Sequence, residues 1–314
     1  MCAGGKVFPY RRERRETPDG DFLDLDWLPA GVPRDRFPLV LVLHGLEGSS
    51  QAKYVTGLMK EVRLQAWDGV AMNFRFCSGE PNRLPRFYHS GETGDLDLVA
   101  SGLAKEVPGR PIVIVGYSLG GNVLLKWLGE RGEKVPPEVL GAVAISVPFD
   151  LQAAVQRIDQ GILRLYGRLF LRTLKRKALL KAKRFPSLLD SADISAIQTF
   201  AQFDDRVTAP LHGFTNGLDY WRQSSSGPFL HGIRRPTLLI SACDDPFLPK
   251  EYLPWDVVKN SRIIRAEFPE RGGHVGFVEG KWPGRASYWV DRRIIRFLRS
   301  LLPAERINSP SGGR

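Results

Sequence analysis

Cysteine is scarce in this chain. Only Cys2, Cys77 and Cys243 occur among 314 residues. So few and so scattered, they build neither a disulfide framework nor a cysteine-based zinc site, and the chain reads as a reduced, cytosolic protein. No apolar run reaches the ~18 residues that a membrane-spanning helix needs. Met1 to Tyr10 lacks the apolar core of a secretory signal. Internal repeats, a Gly-rich phosphate loop, zinc knuckles and RNP-like motifs are also missing. A net charge of +11 therefore stands without any nucleic-acid motif, and no nucleic-acid partner is expected. Between Arg157 and Arg184, ten Lys or Arg face a single acid, Asp159. The bland reading of that cluster is a solvated helical face. The alternative is attraction to anionic lipid or an acidic substrate, a peripheral contact with the inner membrane face.

What is present is a rhythm. Residues 38–43 (PLVLVL), 70–74 (VAMNF), 111–115 (PIVIV), 141–147 (GAVAISV) and 236–241 (PTLLIS) are short apolar runs bounded by Gly or Pro, and 262–268 is a weaker sixth. Such runs predict buried parallel strands. Helical spacing fills 51–65, 95–107, 119–130 and about 286–302. The alternation predicts a doubly wound α/β layout. The segment 19–28 reads as an early antiparallel edge strand after the Asp19-Gly20 turn. Between about 149 and 231 the rhythm stops. That stretch reads as a helical cap, with Ile162, Leu165, Tyr166, Leu169 and Phe170 forming its apolar side and Arg164, Arg168, Arg172 and Lys175 its basic side. The chain thus divides into core residues 1–148, a cap at 149–231, core residues 232–302 and a disordered tail at 303–314.

The chemistry starts at VIVGYSLGGN (113–122). A serine flanked two residues away on each side by Gly116 and Gly120, between strand and helix, is a nucleophile elbow. Ser118 sits on a strained turn that leaves no room for side chains at those two positions. The Leu119 N–H opens the following helix and is one candidate oxyanion donor. A hydroxyl needs a base. Of the five histidines, His274 follows the serine and lies in the loop RGGHVGF before the last helix. His44 precedes the serine, in LVLHGLEGSS. Its His-Gly pair, with Gly45, shapes a loop whose Leu46 N–H is the second candidate donor. The acid belongs after the strand preceding the base's strand, at ISACDDPFLP. Counting from the strand favours Asp244. Counting back from the prolines favours Asp245, the choice preferred. His44, Arg75 and His89 are candidate substrate-binding residues. His212 and His231 read as structural.

The segments HGLEGSS, MNFR…CSGEPNR…YHSGETGDLDLV, GYSLGGNVLLKWLGE, DDPF and GGHVGF together resemble the YheT-like branch of the α/β-hydrolase superfamily, related to the eukaryotic ABHD proteins. The likeness runs from about Arg11 to Leu302. It implies an α/β-hydrolase fold: a mostly parallel sheet, helices on both faces, and a helical cap insertion. It further implies esterase or lipase-type activity on carboxylic esters, no cofactor and no metal, with Ser118 as nucleophile, His274 as base and one Asp of DDP as the acid. A thioesterase or acyltransferase using the same three residues, or a non-catalytic ligand-binding protein of the same fold, are the alternatives. Phe76 stands where the family usually has glycine. A ring there is expected to narrow the site or reorient Arg75.

Overall fold

The computed structural model describes residues 8–30, 37–279 and 287–302. The tail at 303–314 lies outside the described residues.

The strands of the main sheet are β1 (Arg11–Glu16), β2 (Phe22–Leu28), β3 (Leu39–Leu43), β4 (Asp68–Asn73), β5 (Ile112–Tyr117), β6 (Val139–Ile145), β7 (Thr237–Ile240) and β8 (Ile264–Glu267). They form one sheet in the order β1-β2-β4-β3-β5-β6-β7-β8. The β1–β2 and β2–β4 pairs are antiparallel, and every pair from β4 to β8 is parallel. Alternating residues of the central strands feed two cores. Leu39, Leu41, Leu43, Ile112 and Ile114 pack beneath α2 (Thr93–Glu106) and α3 (Leu119–Arg131). Val40, Val42, Val113 and Val115 pack against α1 (Lys53–Leu64) and the last helix, Trp289–Ser300. Burial on both faces explains why these strands read as unbroken apolar runs.

The amino end corrects the sequence reading. The edge strand is β1, RRERRE, which carries no apolar residue. The segment read as an edge, β2, lies inside the sheet and is buried throughout. Leu23, Leu25 and Trp27 enter the core. On the opposite face, buried Asp24 and Asp26 are each gripped by an arginine of β1, with Arg14 Nε to Asp24 and Arg12 Nε to Asp26 both 2.8 Å. A charged edge strand is a usual defence against edge-to-edge pairing. Apolar periodicity cannot reveal it.

No strand occurs between β6 and β7. The chain there runs through α4 (Leu151–Ile158), α5 (Leu163–Arg184), α6 (Ser191–Ala196), α7 (Phe200–Phe203), α8 (Ala209–His212) and α9 (Gly217–Ser224). Asp204–Thr208, between α7 and α8, forms a π-helical turn. The orientation of α5 differs from expectation. Its inward spine is Leu163, Gly167, Leu171, Leu174 and Ala178. Ile162, Leu165, Tyr166 and Leu169, expected on the packed side, are 76, 58, 54 and 64% exposed; of that group only Phe170 turns partly inward. The true buried row is offset from the expected one, and the small Gly167 and Ala178 in it carried little apolar signal.

Candidate active site

The site lies at the carboxyl ends of the parallel strands, where doubly wound sheets place ligands. Ser118 follows β5 with φ 52 and ψ −118, a region that non-glycine residues rarely adopt. The turn is tight on both sides. A Cβ on Gly116 would lie 2.5 Å from the Gly120 oxygen, and one on Gly120 would lie 2.6 Å from the His44 oxygen. The strain directs Ser118 Oγ toward the loop after β8, where His274 Nε2 lies 2.9 Å away. His274 Nδ1 lies 2.7 Å from Asp245 Oδ2. With the ring hydrogen on Nδ1, the imidazole donates to Asp245 and accepts from the serine hydroxyl. The Asp245 side chain is fully buried, and its other oxygen accepts the Phe247 N–H at 2.9 Å. The Phe247 ring stands edge-on to His274, with centroids 5.1 Å apart.

Asp244 points elsewhere. Its Oδ1 accepts the N–H groups of Gly272 and Gly273 at 2.8 and 2.9 Å. The adjacent carboxylates therefore divide the histidine loop between them, one holding its backbone and the other its ring. Ser146 Oγ donates to the His274 carbonyl.

Opposite His274 stands the loop after β3. Gly45 N–H donates to Tyr54 Oη at 2.9 Å, and Glu47 N–H donates to Tyr88 Oη at 2.8 Å. Tyr88 Oη in turn donates to Glu47 Oε1 at 2.8 Å. These bonds fix the residues flanking Leu46. Its N–H donates to no protein acceptor among the described residues, and neither does the Leu119 N–H, which as the first residue of α3 has no intrahelical partner. Leu46, Leu119, Ser118 and His274 all border one cavity of about 310 Å³. Its far wall comes from the helical insertion, chiefly Leu151, Ile158, Phe170, Leu174, Phe200 and Phe203.

Two of the candidate substrate-binding residues are not in the cavity. His44 is buried; its Nδ1 lies 2.8 Å from the Gly45 carbonyl and its Nε2 accepts the Phe74 N–H at 3.2 Å. With both nitrogens occupied by backbone it braces the β3 loop, and burial pushes its pKa down to about 4. Arg75 is buried in a carboxylate nest. Its Nε and Nη2 pair with Asp95 at 2.8 and 2.7 Å, and its Nη1 reaches Asp19 and Asp21 at 2.9 and 3.0 Å. Four of its five N–H donors are thus committed to carboxylates, and the side chain does not border the cavity. His89 does border the cavity, its ring tilted against that of His212 with centroids 4.4 Å apart, and burial pushes its pKa down to about 3. Phe76 neither narrows the cavity nor turns Arg75. It adopts φ 67, and its ring lies beneath Lys177 Nζ and Lys181 Nζ at 5.5 and 5.4 Å.

One polar group in the wall escaped sequence reasoning. Asp204, on the π-helical turn, accepts from Thr208 Oγ1 at 2.9 Å and Trp221 Nε1 at 2.7 Å, and burial pushes its pKa up to about 6. Only the bulge of the turn brings it inward, and nothing in QFDDRVT announces that bulge. Among the described residues no cluster of His, Cys, Asp and Glu could hold a metal ion.

Comparison with known proteins agrees with this architecture. Residues 38–281 match the profile of a family described by its α/β-hydrolase fold. The chain is 39% identical over 302 residues to the protein named Putative esterase YheT of Escherichia coli (strain K12), covering 96% of this chain and 87% of that one. It is 29% identical to Phospholipase ABHD3 of Mus musculus, covering 93% and 72%. An esterase of Pyrococcus furiosus superposes with a TM-score of 0.58 at 18% identity, covering 93% of this chain and 91% of that one, a likeness of fold.

Proposed function

The chain belongs to the α/β-hydrolase family, on its YheT-like branch, and from that premise we propose that it is a serine-dependent hydrolase of carboxylic esters with Ser118, His274 and Asp245 as its catalytic triad. The observation that carries the reading is the unbroken chain Ser118 Oγ–His274 Nε2 and His274 Nδ1–Asp245 Oδ2 at 2.9 and 2.7 Å, opening on an apolar cavity. Ser118 Oγ attacks the ester carbonyl as His274 Nε2 takes its proton, and the carbonyl oxygen becomes an oxyanion held by the Leu46 and Leu119 N–H groups. Collapse of that intermediate breaks the C–O bond, and the alcohol leaves with the proton from His274. Water, deprotonated by the same nitrogen, then cleaves the acyl-serine and releases the acid. Asp245 keeps the ring in its working tautomer and stabilises the imidazolium. Each oxyanion donor is worth roughly 3–4 kcal/mol of barrier.

The substrate is an ester with an apolar acyl part. Phe170, Leu174, Phe200 and Phe203 offer only dispersion contacts and desolvation, and the cavity is at the small end of ligand pockets, suited to short or medium chains. The names of the relatives, an esterase and a phospholipase, support this class. The test is turnover of p-nitrophenyl esters of rising acyl length by wild type and Ser118→Ala, with fluorophosphonate labelling of both. Turnover and labelling that vanish together in Ser118→Ala support the reading. Folded wild-type protein that neither labels nor shows Ser118-dependent turnover sinks it.

A further inference from the structure

Helix α5 carries nine Lys or Arg and no acid over 22 residues. Two of the lysines face inward: Lys177 Nζ donates to Glu47 Oε1 at 2.6 Å and Lys181 Nζ to the Asn82 carbonyl at 2.7 Å. Lys175 is half-buried and holds the Ser195 and Ile197 carbonyls, each at 2.8 Å. What remains exposed is of two kinds only. Arg164, Arg168, Arg172, Arg176, Lys183 and Arg184 are cations; Leu165, Tyr166, Leu169 and Leu180 are large and apolar. Ile162, just before the helix, adds another apolar group at 76% exposure. Among the described residues no acid pairs with any of those six cations. A solvated helical face has no use for five exposed large apolar groups, which remain in contact with water at a cost.

The cations also border a cavity. Arg168, Arg172, Arg176 and Lys183 rim an open groove of about 710 Å³ floored by Leu171, Leu179 and Ile197. The apolar ridge, in turn, is continuous with the candidate active site. The Tyr166 ring meets Phe247 edge-on at 6.0 Å, and Phe247 meets His274 at 5.1 Å.

We propose that α5 is an interfacial helix that docks this protein on an anionic lipid surface, with Ile162, Leu165, Tyr166 and Leu169 entering the acyl boundary and the arginines meeting the headgroups. Strong charge, low net hydrophobicity and an exposed apolar ridge are the features of helices that lie in the membrane plane. Docking in this pose sets the mouth of the cavity against the lipid, a consequence that rests on the ester-hydrolase reading above. The basic ridge alone would also suit a nucleic acid, but leucines exposed among the arginines have no partner on a phosphate backbone.

The test is flotation of the intact chain with vesicles of phosphatidylcholine alone, and of phosphatidylcholine and phosphatidylglycerol in equal parts. Binding to the anionic vesicles only is expected. Leu165→Ser with Leu169→Ser, and separately Arg168→Glu with Arg172→Glu, are each expected to weaken it at least ~10-fold. None of these four residues borders the cavity at Ser118, and both double variants keep wild-type turnover of water-soluble p-nitrophenyl acetate and wild-type melting. No vesicle binding, equal binding to both vesicles, or binding that survives both double variants overturns the proposal. Salt-sensitive binding to RNA, undiminished by Leu165→Ser with Leu169→Ser and without vesicle binding, overturns it in favour of a nucleic-acid surface. The two readings fail separately. Vesicle binding without Ser118-dependent turnover sinks the hydrolase alone, and the reverse sinks the docking alone.

Discussion

Asp244 and Asp245, adjacent and chemically identical, hold two different parts of one loop: Asp245 Oδ2 meets His274 Nδ1 at 2.7 Å, while Asp244 Oδ1 accepts the Gly272 and Gly273 N–H groups at 2.8 and 2.9 Å. Their substitutions should therefore have different signatures. Asp245→Asn leaves the geometry in place but favours the wrong tautomer, and kcat should fall about 10,000-fold. Asp244→Ala only loosens the placement of the ring, and should cost up to ~100-fold. Kinetics on one p-nitrophenyl ester, with both proteins shown to be folded, decide between the roles. If Asp244→Ala is the more damaging of the two, the assignment is reversed.

Gly116→Ala tests the elbow. The added methyl would meet the Gly120 oxygen at 2.5 Å, and backbone cannot swing aside as a side chain can. We expect a loss of about 1–3 kcal/mol in urea unfolding, as for other overpacked sites, together with loss of fluorophosphonate labelling. Wild-type stability and labelling would mean that the turn is looser than these contacts imply.

Arg75→Ala tests whether that guanidinium is an anchor. It leaves Asp95 and Asp21 buried without their cation, and should cost about 3–5 kcal/mol of stability. KM at a temperature where the variant is folded should stay near wild type. An unchanged melting temperature with a raised KM would restore a substrate-binding role.

His44 links stability to pH. In the unfolded chain it titrates near 6.5; in the folded protein burial holds it at about 4. Between these values the unfolded chain takes up a proton that the native protein cannot, so stability is intact above about pH 6.5 and falls as pH drops toward 4. The share of His44 is roughly 3 kcal/mol at most. His89 contributes in the same direction, so the informative quantity is the difference in slope. His44→Asn should melt lower than wild type at neutral pH but lose less per pH unit below 6.5, as followed by thermal melts from pH 8 to pH 4. Parallel slopes would remove His44 from the account.

The sequence by itself determined the central parallel strands, because burial on both faces forces runs such as PLVLVL and PIVIV, and it marked Ser118, because a strained elbow tolerates only glycine at Gly116 and Gly120. Chain order and Pro spacing single out His274 and Asp245 as candidates, and the fold brings the two within hydrogen-bond distance. Only the tertiary structure decided the rest. That Arg75 and His44 are sealed into the scaffold depends on carboxylates and, for His44, the Phe74 N–H, all 20 or more residues away, which no local pattern encodes. The edge strand β1 is invisible to apolar periodicity because its arginines are matched to Asp24 and Asp26 across the sheet. The rotation of α5 is set by packing, and Gly167 and Ala178, small enough to pack closely, mark its buried row more faintly than the leucines left outside. Local spacing specifies which residues share a face. Which face is buried is settled by what the rest of the chain packs against it.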